Sequence, residues 1–180
     1  MNAADDEYVQ LEEISRVLSH EYVSDGDDPW EGSPFKWILS KPSRTKGAIG
    51  EKIVARWADA HGAVVGRSDD SEADRVLNGK RVEIKMSTLW ETGIYMFQQV
   101  RDQDYEYLVA LGLSPSAVHC WVISKQQLLD HVIGKTGQHT GNAGQDTAWI
   151  SVDVLNPPSW MADCGGTLDQ AWEIIEAWPS

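Results

Sequence analysis

The chain has 180 residues, of which 42% are hydrophobic, and it carries a formal net charge of −13. This length and composition are typical of one globular domain with its own core, and the sequence contains no apolar run long enough to span a membrane. Because there are only two cysteines and the N-terminus is acidic, we expect neither a disulfide framework nor a secretion signal. We therefore expect a cytoplasmic protein with free thiols.

The negative charge is concentrated at the two ends of the chain. Residues 1–40 carry ten acidic and two basic side chains, and residues 141–180 carry six acidic side chains and no basic one. Residues 41–140 carry twelve acidic and thirteen basic side chains, so this middle segment is close to neutral. The charge excludes a uniformly basic nucleic-acid-binding surface but is compatible with a local basic cluster in the middle.

Periodicity and turn residues predict the order of the elements. Helices are predicted over 5–22, over part of 34–40, from Ser43 or Thr45 to His61, from Ser124 through Val132, and over 167–178. Strands are predicted within 63–66, in a hairpin over 73–87, and over 107–113, 118–123 and 149–154, while residues 94–100 fit either a strand or a short helix. This order indicates a mixed α/β or α+β domain with one central sheet.

The hairpin carries the chemistry. An Asn78-Gly79 pair between alternating polar and apolar residues predicts a two-residue turn, because both positions need positive φ. With that turn, Asp74 lies directly opposite Glu83, and Lys85 shares a strand face with Glu83. Two carboxylates facing each other across a hairpin repel, and a divalent cation would relieve the repulsion. This pattern predicts metal-assisted attack on a phosphodiester.

An alternative is that these charges lie on a solvated hairpin. Against this, the opposite face of the second strand is apolar, with Val82, Ile84 and Met86, and this predicts that the strand packs on a core.

The segments around the hairpin resemble the PD-(D/E)XK, or restriction-endonuclease-like, nuclease superfamily over residues 44–154. The matching features are Glu51 in GAIGEK, an isolated Asp74, then Glu83-Ile84-Lys85, followed by FQQVRDQDYEYLVALGLSP and HCWVI. One departure is Ala73, which stands where the motif has proline. The order is similar to that of stand-alone type II restriction endonucleases. The resemblance implies a central mixed β-sheet flanked by helices.

On this basis we expect a single nuclease domain over residues 1–180. It would comprise an N-terminal helical extension over 1–42, a catalytic core over 43–155, and a C-terminal helix within 156–180.

The resemblance also implies roles for individual residues. Asp74 and Glu83 would bind Mg²⁺, with the backbone carbonyl of Ile84 as a further ligand, and Lys85 would orient the attacking water. Glu51 would approach the metal directly or through water, although periodicity alone fits an exposed helical glutamate equally well.

Further candidates support the site or contact DNA. If residues 94–100 form a strand, Gln99 shares a face with Tyr95 and Phe97, and it either supports the site or is an ordinary edge residue. Donors at a helix N-terminus or in a Gly-rich loop could hold DNA, although each also fits a solvated surface: Arg44, Lys46, Lys135, Gln138, His139 and Asn142.

Three functions are compatible with this pattern. The first is a Mg²⁺-dependent endonuclease acting on double-stranded DNA, as the restriction half of a restriction-modification system with a partner methyltransferase. One site per chain and two strands to cut imply a homodimer. The second is a structure-specific or modification-dependent nuclease of the same fold, and the third is a protein that binds DNA or a partner without cleaving.

Overall fold

The structure, a computed structural model, describes residues 8, 11–18, 28–135, 137–138 and 147–178. Contacts along the chain divide it into two compact units, Met1–Glu31 and Gly32–Ser180. Among the described residues, no helix is both long enough and apolar enough to cross a membrane.

The first unit contains helix α1, described over residues 11–18, and residue 8 is also helical. These residues lie within the helix predicted over 5–22, so the prediction is confirmed for the part that the structure describes.

Over its described residues, the second unit contains four further α-helices and nine strands. The helices are α2 (Lys36–Leu39), α3 (Ser43–Ala60), α4 (Lys125–His131) and α5 (Leu168–Glu176). The strands are β1 (Val65–Arg67), β2 (Arg75–Leu77), β3 (Lys80–Thr88), β4 (Ile94–Val100), β5 (Tyr107–Leu113), β6 (Val118–Ser124), β7 (Gly137–Gln138), β8 (Thr147–Asp153) and β9 (Gly165–Gly166).

The larger sheet has the strand order β1-β2-β3-β5-β6-β9. It is a mixed sheet, because β3 and β5 are parallel while all other pairs of neighbouring strands in the sheet are antiparallel. The predicted central mixed sheet flanked by helices is therefore present.

A second sheet, ordered β4-β8-β7, was not predicted. Residues 94–100 form its first strand, which settles the choice between strand and helix. Gly137–Gln138 forms β7, although the sequence there is typical of a polar loop. The strand forms because it pairs with β8, and not because its residues favour strands.

The core has two layers, one on each face of the larger sheet. On one face, α3 and α5 cover apolar side chains of β3, β5 and β6. On the other face, side chains of β5 and β6 pack against those of β4 and β8 and against α4. Because both faces of β5 are covered, its sequence YLVALGL is almost continuously apolar rather than alternating.

Helix α3 lies unusually close to β3 at Gly50. A Cβ atom at Gly50 would lie 2.6 Å from the Cβ of Met86. This contact joins the backbones of the two elements and sets the position of Glu51, the next residue on the helix.

We therefore expect Gly50→Ala to lower the free energy of unfolding by about 1–3 kcal/mol, because the added methyl group cannot fit without moving the helix. Gly47→Ala is the matched control on the same helix, since a Cβ there has open space. It should raise the free energy of unfolding by about 0.5–1 kcal/mol through helix propensity. Urea unfolding monitored by circular dichroism measures both changes, and equal effects of the two variants would contradict the close packing.

Candidate active site

A cleft of about 490 Å³ opens beside the central part of β3. Strand β2 pairs with β3 only over Lys80–Val82, so the edge of β3 beyond that point is not covered by β2. The first half of α3 and strand β4 contribute the other lining residues. The cleft therefore exposes backbone and side chains of a strand whose other edge is anchored in the sheet by β5.

Asp74 enters this cleft from the end of the hairpin. The predicted register is confirmed over Arg75–Leu77, and Asn78 and Gly79 both have positive φ, of 47° and 80°. The sequence predicted a further pair between Asp74 and Glu83, but the ladder ends at the pair of Arg75 and Val82. Instead the Asp74 N–H donates to the Val82 carbonyl, and the Asp74 carboxylate accepts the Ile84 N–H at 2.8 Å. The local departure from the ladder holds this carboxylate against the open edge of β3.

Glu83 is not among the residues that line the cleft, and it pairs with Lys85, which does line it. Its side chain is buried, with 6% of the residue exposed, and its Oε1 lies 2.6 Å from the Lys85 Nζ. Burial raises the pKa of Glu83, the ammonium of Lys85 opposes that rise, and the nearby charge of Asp74 adds to it. The predicted repulsion between the two carboxylates is thus present even though they do not form a ladder pair.

Glu51 also lines the cleft but is held by Arg75. One guanidinium nitrogen of Arg75 lies 3.4 Å from the Glu51 carboxylate, and another donates to the Asp74 carbonyl at 2.7 Å. Burial raises the pKa of Glu51, and the charge of Asp74 raises it further, while Arg75 and Lys85 oppose the rise. Arg75 therefore links the helix carboxylate to the strand that carries Asp74.

The donor set is suited to Mg²⁺. Within the described part of the chain, no group of three or more His, Cys, Asp or Glu side chains is placed to hold a metal ion. Mg²⁺ nevertheless keeps several waters and is bound in many enzymes by one or two carboxylates together with substrate phosphate, so Asp74 and Glu83 are sufficient. The N–H and C=O of a strand residue point to the same edge, so the Ile84 carbonyl also faces the cleft.

A β-bulge in β4 changes the predicted orientation of Gln99. The register with β8 shifts between Phe97 and Val100, and Gln99 has a φ of 59°. Tyr95 and Phe97 are buried in the core, whereas Gln98 and Gln99 are both exposed and line the cleft. The predicted shared face of Gln99 with Tyr95 and Phe97 is therefore wrong, because the extra residue of the bulge rotates Gln99 away from the core.

The residues proposed to contact DNA lie in two places. Arg44 and Lys46, in the first turn of α3, line the cleft. Lys135, which follows α4, is not among the lining residues, and its ammonium donates to the carbonyl of Asp130 in the last turn of that helix. The backbone of Gln138 lies in β7, while His139 and Asn142 lie outside the described residues.

Two residues of the candidate site were not proposed from the sequence: Arg75, which contacts Glu51 and Asp74 without lining the cleft, and Trp90. Arg75 directly follows Asp74, but its link to Glu51 depends on the packing of α3 against the sheet. Trp90 lines the cleft with 46% of its surface exposed, and its position between the end of β3 and the Thr92-Gly93 turn was a usable signal.

No protein-family model and no curated protein matches the chain. Among solved structures, the chain is similar to the bacterial homing endonuclease I-Ssp6803I, with 17% sequence identity and a TM-score of 0.48. The alignment covers 74% of this chain and 91% of that chain. The function of the cleft is therefore inferred from its own side chains.

Proposed function

We propose that this protein is a Mg²⁺-dependent endonuclease that hydrolyses phosphodiester bonds of double-stranded DNA. The observation that carries the proposal is the group formed by Asp74, Glu83 and Lys85 at the open edge of β3. Two adjacent carboxylates in a partly desolvated site, with an ammonium beside them, are what metal-assisted hydrolysis of a phosphodiester requires. The same residues are those through which the sequence resembles the PD-(D/E)XK superfamily.

Asp74 and Glu83 would hold the Mg²⁺, with the Ile84 carbonyl beside them. Bound Mg²⁺ would lower the pKa of a coordinated water and neutralise charge on the phosphate. Lys85 would then leave its ion pair with Glu83 to orient the attacking water and balance the phosphate charge. This exchange of partners is possible because Lys85 is partly exposed in the cleft while Glu83 is not.

The cationic side chains of α3 would position the DNA backbone. Arg44 and Lys46 lie in the first turns of an 18-residue helix, where the helix dipole also favours a phosphate. Gln99 lies across the cleft on β4, and its side-chain amide would donate a hydrogen bond to the same DNA strand. The cleft is lined by three cationic side chains, Arg44, Lys46 and Lys85, and by two carboxylates, Glu51 and Asp74.

The finer assignment is a site-specific type II restriction enzyme that acts as a homodimer. One catalytic group per chain and two antiparallel strands to cut favour two copies related by a two-fold axis. A cognate DNA methyltransferase would then protect the host sequence.

Digestion of phage DNA tests this function. Purified protein is incubated with unmethylated and methylated phage DNA in the presence of Mg²⁺ or EDTA. We expect discrete fragments in Mg²⁺ alone, and sequencing of their ends would give the recognition site. Intact DNA under all four conditions would contradict site-specific cleavage, and fragments from methylated DNA alone would instead indicate a modification-dependent nuclease.

A further inference from the structure

The lining of the cleft is divided into two parts of different chemistry. The part formed by α3, Asp74 and Lys85 is ionic, as described above. The lining residues supplied by the end of β3, the loop after it and β4 are all uncharged: Ser87, Thr88, Trp90, Met96, Gln98 and Gln99. A bound DNA strand presents the same two chemistries, because its phosphates are charged and its bases are neutral and flat.

Trp90 is the large aromatic side chain of this uncharged part. Tryptophan usually buries most of its surface in a soluble protein, yet 46% of Trp90 is exposed. Trp90 lines the cleft in which a phosphodiester is proposed to bind. The exposed part of its indole has no evident role in packing the fold.

The backbone around Trp90 is fixed on both sides. The Leu89 N–H donates to the Leu113 carbonyl at 2.8 Å, and the Leu89 side chain packs against the core. The Trp90 N–H donates to the Ile94 carbonyl at 3.0 Å, and the Gly93 N–H returns to the Trp90 carbonyl at 2.9 Å. Gly93 has a φ of 79°, which closes this tight turn. The backbone that carries the indole is thus held by hydrogen bonds on both sides of Trp90.

We propose that Trp90 stacks on a nucleobase next to the phosphate bound by Asp74 and Lys85. This inference rests on the proposed nuclease function and names the group that occupies the uncharged part of the cleft. A base adjacent to the cleaved phosphate has a flat face of the right chemistry, and stacking does not depend on which base is present. Gln98 and Gln99 lie on the same side and could hydrogen-bond the edge of that base.

The test measures DNA affinity by fluorescence anisotropy in Ca²⁺, with a labelled duplex that spans the cleavage site found by phage digestion. We expect Trp90→Ala to weaken binding by about 5- to 150-fold, in line with the loss of one stacked base. Trp90→Phe should stay close to the wild type, because it keeps an aromatic face. Trp37→Ala is the matched control, since Trp37 is also exposed but does not line the cleft, and it should bind normally.

A second set of duplexes locates the stacked base. Each duplex carries one abasic position, moved stepwise along the strand on either side of the cleaved bond. At the position that Trp90 contacts, the wild type should lose affinity while Trp90→Ala loses nothing further. Unchanged binding by Trp90→Ala, or an equal abasic penalty in both proteins at every position, would overturn the stacking contact while the nuclease function stands.

Two other outcomes would also overturn the inference. If Trp90→Ala alters the mass of the protein in analytical ultracentrifugation, then Trp90 is a contact between copies of the chain rather than a DNA contact. If the wild type neither binds nor cuts DNA, then the proposed function and the stacking contact fail together.

Discussion

Asp74→Ala and Lys85→Ala should abolish DNA cleavage while DNA binding in Ca²⁺ persists. Asp74 supplies one of the two carboxylates at the open edge of β3, and without it the remaining carboxylate is paired with Lys85. Lys85 is the cation beside the expected position of the attacking water, so its loss should slow cleavage by about 10²- to 10⁴-fold. A single-turnover cleavage assay measures the rate, and fluorescence anisotropy in Ca²⁺ measures binding.

Two further variants make this prediction specific. Asp74→Asn keeps an oxygen that can accept the Ile84 N–H, so it should preserve the fold and still fail to cut. Lys80→Ala removes a lysine from the other end of the same strand, where it pairs with Glu106, and should cut at nearly the wild-type rate. Cleavage by Asp74→Ala or Lys85→Ala at the wild-type rate would show that the catalytic group has been misplaced.

Mg²⁺ should stabilise the protein, and more strongly as the pH rises. The pKa values of Glu51 and Glu83 are raised above 4.5, mainly by burial. Between 4.5 and those raised values the folded protein binds more protons than the unfolded chain, so the stability of the metal-free protein falls as the pH increases through this window. Above the window both carboxylates are ionised and available to a cation.

The expected size of the Mg²⁺ effect follows from mass action. At a Mg²⁺ concentration about 100-fold above its Kd, binding adds about 2.7 kcal/mol, which for a chain of this length raises Tm by about 5–10 °C. Differential scanning calorimetry with Mg²⁺ or EDTA across the acidic range measures both trends. Glu83→Gln should remove most of the Mg²⁺-dependent shift, whereas Glu106→Gln, which changes a carboxylate at the far end of β3, should keep it. A shift that is independent of pH, or is kept in Glu83→Gln, would place the metal elsewhere.

The parts of the site that the sequence predicts are those fixed by local interactions. The Asn78-Gly79 turn sets the register of the hairpin, which brings Asp74 near Glu83. Alternation along β3 then places Lys85 beside Glu83 and buries Val82 and Ile84 on the opposite face. Ser124 caps α4 as predicted, through a capping box formed with Gln127. Thr167 caps α5 in the same way with Gln170, a cap that was not predicted.

The parts that the sequence does not predict depend on contacts between distant segments. The bulge at Gln99 arises where β4 pairs with β8, some fifty residues further along the chain, and nothing in MFQQV itself indicates an extra residue. The Arg75–Glu51 pair exists because Gly50 lets α3 approach β3 closely. In the second sheet, β4 pairs with β8, which lies far along the chain, and no local pattern predicts that pairing.

The most direct test of the central claim compares cleavage by the wild type and by Glu83→Gln on the same DNA. Both proteins are first shown to be folded by circular dichroism and are then incubated with the phage DNA in Mg²⁺ and in EDTA. We expect the wild type to cut in Mg²⁺ and not in EDTA, and Glu83→Gln to cut in neither. Uncut DNA with the wild type, or equal cleavage by the two proteins, would contradict a nuclease site built on Asp74 and Glu83.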